Sequence, residues 1–226
     1  MDKATLAKYL DLANHHQEAT LEKIKSLCAQ VLEYGFNGAF VNPVFVADVK
    51  AFLLGRAKVG TVISFPLGQE TQEIKLAAVA KAIEDGADEL DVSLNVGYLK
   101  SGLYEESSEE MQKIVQAAKT QKETVLVKLI IEAGCLTDEE IKKASELVLG
   151  SGADFIKTSS GFGPRGASLR DVDLIKEAVG EKIKIKVAGG IDTLDEAMAF
   201  IDKGVARIGT SGAIKIIQEL ETLSLE

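Results

Sequence analysis

Lys157 is the residue in this chain best placed to do covalent chemistry. It lies near the C-terminal end of Ala153-Asp-Phe-Ile-Lys-Thr158, a segment that reads as a short strand. Side chains alternate along a strand, so Ala153, Phe155 and Lys157 share one face. Gly152 before the strand reads as a helix stop, and Thr158 to Gly161 after it offers hydroxyls and a pliable backbone. A lysine on the inner face of a buried strand must be paired, neutralised or used. Used, it is an amine that adds to a carbonyl and forms a Schiff base.

Strand parity brings other charges to the same interior. In Ile183-Lys-Ile-Lys-Val187 the aliphatic residues share one face, and Lys184 and Lys186 share the other. In a closed barrel the aliphatic face meets the surrounding helices, so the lysines point inward. The same reasoning sends Asp91 inward from Leu90-Asp-Val92, and Lys128 inward with Leu126 from Val125 to Ile131. Three lysines, Lys128, Lys157 and Lys186, then face one aspartate. Like charge and desolvation both lower a lysine pKa, which yields a free amine near neutral pH. Lys157 and Lys186 fall near strand C-termini, where barrel enzymes keep their chemistry, and Lys184 falls deeper, as a structural residue. Lys128 is expected to pair with Asp91 or Glu132. The bland alternative is an ion-pair network that only fills the core.

Elements that could position these groups recur along the chain. Four similar phrases, Tyr34–Val41, Asp85–Val92, Ser151–Thr158 and Lys203–Thr210, each place glycine at a helix end and then begin a strand. Further strands are expected at Tyr9–Ala13, Val59–Phe65, Thr124–Ile131 and Ile183–Ala188. Helices lie between them. Thr20 is the expected N-cap and Gly35 the stop of one, and Thr71 opens another that ends at Gly86. Ser107 with Glu110, Thr137 with Glu140, and Thr193 with Glu196 have capping-box spacing. Eight strands alternating with helices predict an α/β fold, a single (β/α)8 TIM barrel over residues 1–226, ahead of an open doubly wound sheet. Glycine-rich loops follow the last two strands, Ala188-Gly-Gly-Ile191 and Gly209-Thr-Ser-Gly212, the second leading into an apolar helix. Loops so placed bind phosphate through backbone N–H groups, which nominates Gly189, Gly190, Gly209, Thr210 and Ser211.

Composition narrows the function classes. The 226 residues carry a net charge of −9, with a pI near 4.9, which argues against broad binding to nucleic acid or anionic membranes, since that wants a basic face. No apolar run approaches the length of a membrane span, and Met1-Asp-Lys-Ala-Thr lacks the apolar core of a signal peptide. Cys28 and Cys135 have no metal spacing and are expected as reduced thiols in the cytoplasm. His15 and His16, the only histidines, are adjacent in a polar loop and read as surface residues, which disfavours a zinc site.

Several segments resemble the deoxyribose-phosphate aldolase family: Glu-Leu-Asp91-Val, Asp-Phe-Ile-Lys157-Thr-Ser-Ser-Gly161-Phe, Lys-Ile-Lys186-Val-Ala-Gly-Gly-Ile and Ala-Arg-Ile-Gly-Thr-Ser. Tyr34 to Pro43 and Ile63 to Gly68 match as well, so the resemblance spans nearly the whole chain in order. It implies a cofactor-free, metal-free class I aldolase that cleaves 2-deoxyribose 5-phosphate to glyceraldehyde 3-phosphate and acetaldehyde. Lys157 would form the Schiff base, Lys186 would perturb it and Asp91 would relay protons. Asp11, Lys128 and Gly161 join the expected substrate contacts. A homodimer or homo-oligomer is also implied. Another sugar-phosphate aldolase, or a barrel that only binds sugar phosphates, are the alternatives. The chain departs from the family pattern at Ala13 to Gln17, which lacks a threonine hydroxyl at Ala13, at Phe40, where cysteine is common, and at Gly212, where a second serine is common. It also ends at Glu226 without a C-terminal tyrosine found in some members.

Overall fold

The computed structural model describes residues 1–223; the chain end at Glu226 lies outside them. Eight parallel strands close into a barrel in sequence order: β1 (Leu10–Asn14), β2 (Gly38–Val41), β3 (Lys58–Ile63), β4 (Glu89–Ser93), β5 (Leu126–Ile130), β6 (Phe155–Lys157), β7 (Lys184–Ala188) and β8 (Arg207–Thr210). β8 pairs with β1 through Leu10–Ile208 and Asp11–Gly209, so no edge strand remains. The helices between them are α1 (Lys3–Tyr9), α2 (Leu21–Tyr34), α3 (Val46–Leu53), α4 (Gln72–Glu84), α5 (Val96–Lys100), α6 (Tyr104–Gln121), α7 (Asp138–Ser151), α8 (Leu169–Val179), α9 (Leu194–Asp202) and α10 (Ala213–Leu223). The (β/α)8 barrel expected from the alternation is the fold observed.

The main apolar core lies between strands and helices. Leu90, Val92, Val127, Leu129, Ile156, Ile185 and Val187 face outward into it and pack against helix residues such as Ile114, Val148 and Ile175. This is why the alternate positions, Asp91, Lys128, Lys157 and Lys186, are left to the barrel interior. Residues Phe40 and Phe155 are buried yet lie apart from that core. They fill the inside of the barrel, where cations surround them.

Local chemistry explains most element ends. Thr20 accepts from the Lys23 N–H, and Gly35 closes α2 in the left-handed conformation at φ 71°. The boxes at Thr137–Glu140 and Thr193–Glu196 form as expected, and a third, unanticipated box forms at Ser168–Asp171. Ser107 and Glu110 do not cap. α6 begins earlier, at Tyr104, so both lie inside the helix and are buried, with Glu110 3.0 Å from the buried Lys75. Thr71 does precede α4, but without a side-chain cap, and Tyr9 ends α1 rather than starting a strand. α1 itself was not expected; Asp2 caps it through the Thr5 N–H and Leu6 and Ala7 bury its inner side. No helix among the described residues is long and apolar enough to cross a membrane.

Candidate active site

β4, β6 and β7 bring Asp91, Lys157 and Lys186 together. Lys157 pairs in register with Lys186 across the β6–β7 ladder, and both point inward by parity. Lys157 Nζ donates to Asp91 Oδ2 at 2.8 Å, and Lys186 Nζ donates to the same oxygen at 2.9 Å. Asp91 Oδ1 accepts from Lys128 Nζ at 3.0 Å. Burial alone would raise the Asp91 pKa, but Lys128, Lys157 and Lys186 outweigh it and hold the carboxyl well below its usual range. Burial dominates at Lys157 and lowers its pKa to about 8; Asp91 opposes that shift and the nearby Lys186 reinforces it. A tenth of such a group is the free amine one pH unit below that value.

Beneath this triad the interior charges are more balanced than the parity reading expected. Asp11 and Glu89 join Asp91, and Arg207 joins the three lysines. Lys186 lies 2.8 Å from Asp11 Oδ2, and Lys128 lies 2.6 Å from Glu89 Oε2. Both are ion pairs by distance whose angles fall outside hydrogen-bond geometry. Arg207 donates to Asp11 Oδ1 at 3.0 Å. Burial pushes the Asp11 carboxyl up against the pull of Lys186 and Arg207. At Glu89 burial is again the largest influence, yet Lys128 and Arg207 together bring the carboxyl below its usual value. The Lys186 ammonium also sits 3.7 Å from the Phe40 ring centroid, a cation–π contact.

A cavity of about 240 Å³ opens at the C-terminal ends of the strands, room for roughly eight waters and thus for a small polar ligand. Asp91, Lys157 and Lys186 form its floor, and Gly161, Gly189, Gly190, Gly209, Thr210 and Ser211 line it, all nominated from sequence. Gly189 has φ 86°, and a Cβ there would lie 2.9 Å from the Gly161 Cα. Only glycine allows the two loops to meet so closely. The loop after β6 is tied down further. Glu132 Oε2 accepts from the Ser160 N–H at 3.1 Å, and Ser159 Oγ donates to the Ala188 carbonyl at 2.6 Å.

Two expected substrate contacts lie elsewhere. Asp11 and Lys128 do not line the cavity and expose none of their surface; they serve the charge network beneath it. Lys128 takes Glu89 and Asp91 as partners, whereas Glu132 holds the Ser160 loop. Lys184 shares the inward face but sits at the opposite end of the barrel, exposed to solvent, 5.6 Å from the Phe155 centroid.

The histidines were misread. His15 and His16 both line the cavity, because the stretch after β1 folds over its mouth. The His15 ring is 5.2 Å from Phe65, its Nδ1 is buried without a hydrogen-bond partner among the described residues, and burial followed by the Lys157 charge lowers its pKa to about 3. It therefore faces the cavity as a neutral imidazole. Phe162 completes an aromatic rim, 5.4 Å from Phe65 and 6.2 Å from His16. Asp192 also lines the cavity, beside the final glycine loops, and was not anticipated.

Both the sequence and the closed barrel match known proteins. The chain is 44% identical over 216 residues to the deoxyribose-phosphate aldolase of Thermococcus gammatolerans, covering 94% of this chain and 95% of that one. It is also 44% identical over 216 residues to that of Carboxydothermus hydrogenoformans, at 95% of each chain. Among solved structures, an aldolase called QR15 superposes with a TM-score of 0.90 at 37% identity, over 97% of both chains. The deoxyribose phosphate aldolase of Aeropyrum pernix, described as a tetramer, gives 0.90 at 30% identity over 98% of this chain and 93% of that one. The model of the DeoC/LacD family of aldolases matches residues 2–215, nearly all of the barrel and every charged group on its floor, and the chain belongs to that family.

Proposed function

We propose that the protein is a class I aldolase that reversibly cleaves 2-deoxyribose 5-phosphate to glyceraldehyde 3-phosphate and acetaldehyde. The observation that carries this reading is the Lys157 amine at the floor of a small cavity, 2.8 Å from Asp91, with its pKa lowered to about 8 and that of the Asp91 carboxyl held well below its usual range. The names of the relatives supply the substrate.

Neutral Lys157 adds to C1 of the open-chain sugar, and loss of water gives an iminium. Removal of the C3 hydroxyl proton then breaks the C2–C3 bond, as a two-carbon product requires. The bonding pair moves toward the iminium and leaves an enamine on Lys157, while glyceraldehyde 3-phosphate departs. Protonation of the enamine carbon and hydrolysis release acetaldehyde and the free amine. Asp91 is too weak a base to keep a proton at neutral pH. Its part is to hold the Lys186 ammonium and a water in place while protons pass between water and substrate, general acid–base help worth typically 10²–10⁴-fold. The phosphate rests on Gly189 and Gly190 and on Gly209 to Ser211, at the start of α10, with Gly161 opposite.

One barrel carries the whole reaction in this reading, with no metal or organic cofactor. A homo-oligomer is proposed by analogy with the tetrameric relative. Free Cys28 and Cys135 suit a reducing cytoplasm. Incubation with acetaldehyde and borohydride, followed by peptide mass spectrometry, tests the scheme. A reduced two-carbon adduct on Lys157 is expected. An adduct chiefly on Lys186 would exchange the roles of the two lysines, and no adduct on folded protein would sink the aldolase reading.

A further inference from the structure

The far end of the cavity, where the phosphate of the proposed substrate would sit, is not built like a strong phosphate site. Among the described residues, lysine and arginine line this cavity only at Lys157 and Lys186, and both are engaged by Asp91 on the floor. Two donors of the final loop are already used. The Gly212 N–H goes to Thr210 Oγ1 at 2.8 Å, and that hydroxyl donates to the Ile191 carbonyl at 2.8 Å. The Asp192 side chain then closes over the same turn. Its Oδ1 would lie 2.9 Å from a Cβ placed on Gly212, immediately before the N-terminus of α10. Among the described residues, no cation or hydrogen-bond donor pairs with this carboxylate. The side chain is exposed to solvent and stands beside the positive end of the helix, the region that would otherwise attract an external anion.

We infer that Asp192 is a specificity-determining residue that opposes the phosphate and shifts the enzyme toward 2-deoxy sugars ending in an uncharged hydroxyl. A phosphate monoester carries nearly two negative charges at neutral pH, so its repulsion by a neighbouring carboxylate is almost doubled. A hydroxymethyl group meets no such repulsion and can donate a hydrogen bond to the carboxylate. The lack of a side chain at Gly212 is part of the arrangement, since a Cβ there would push Asp192 aside.

The inference rests on the aldolase reading above, and its test separates the two. The ratio of kcat/KM for 2-deoxy-D-ribose 5-phosphate to that for 2-deoxy-D-ribose is measured in the wild type, Asp192→Asn and Asp192→Glu. Titration calorimetry with glycerol 3-phosphate, which has no carbonyl to react, is run on the same proteins. Asp192→Asn is expected to raise the ratio and tighten glycerol 3-phosphate by roughly five- to tenfold. Asp192→Glu, which keeps the charge, should stay near the wild type. A ratio and an affinity both within twofold of wild type in Asp192→Asn would overturn the inference. The calorimetric arm reads the subsite whether or not Lys157 turns over sugar, so a protein inactive on both sugars would refute only the aldolase reading.

Discussion

Lys157 and Lys186 share one acceptor, the Oδ2 oxygen of Asp91, at 2.8 and 2.9 Å. The sharing sets the state of the proposed nucleophile. Asp91 stabilises the charged form of Lys157 and Lys186 destabilises it, while burial disfavours it most of all. The outcome is a lysine whose pKa is lowered to about 8 although it lies 2.8 Å from a carboxylate.

The pH dependence of kcat/KM should show this balance. The rate needs the neutral amine, so it should rise with pH and level off above about 8. Lys186→Met removes an influence that lowers the Lys157 pKa, so its acidic limb should move to higher pH. Stopped assays of acetaldehyde release across pH 6 to 10 would decide it, and an unmoved limb would show that Lys186 does not act through Lys157.

Lys157→Met should abolish the borohydride-trapped adduct and keep the fold. A lysine whose folded pKa is lowered from 10.5 to about 8 costs stability while it is protonated, and that cost fades as pH rises from about 8 to 10.5. The variant should therefore melt no lower than the wild type at pH 7, and any advantage should shrink toward pH 10. Calorimetric melts at the two pH values check the sign. A large loss of stability at pH 7 would mean that the Asp91 contact outweighs the burial of the amine.

Lys128→Met should unfold the barrel more readily. It leaves Glu89 Oε2 without the lysine and removes the only partner that Asp91 Oδ1 has among the described residues. Breaking a buried pair on one side costs about 3–5 kcal/mol. Urea denaturation would measure it. Lys128→Met combined with Glu89→Gln should recover part of the loss, because the stranded charge is removed with its partner.

Much of this site was legible in the sequence because a strand's alternation is rigid. Asp91, Lys128, Lys157 and Lys186 are inward in the structure, and Glu89 and Arg207 follow the same parity from Asp91 and Gly209. They could have been found by extending each strand by two residues. Parity gives the face of a side chain but not its height, so Lys184 was placed inward but deep, whereas it opens to solvent. His15 had no such signal. It follows β1 in a stretch without periodicity, and only the folding of that stretch over the cavity brings it beside Phe65. Asp192 was hidden for a similar reason, because its position depends on how two loops meet.

Phe40 and Gly60 form another testable pair. A Cβ on Gly60 would lie 2.2 Å from the Phe40 ring, and that ring carries Lys186 at 3.7 Å and Lys128 at 4.8 Å. Gly60→Ala should cost about 1–3 kcal/mol through overpacking, and Phe40→Leu should relieve it in the double variant. A double-mutant cycle in urea would show the coupling. Simple additivity of the two changes would refute it.

The Phe40–Gly60 contact also constrains the history of this barrel. The ring could enter only where the neighbouring strand already lacked a side chain, and once it was in place that strand could not regain one without a clash. Single steps in the wrong order cross a poorly stable intermediate. A smaller residue at position 40 would free position 60 to vary, whereas phenylalanine does not. The aromatic cushion beneath Lys186 thus ties the two positions together, so that position 60 gains a side chain at low cost only once the ring at position 40 has gone.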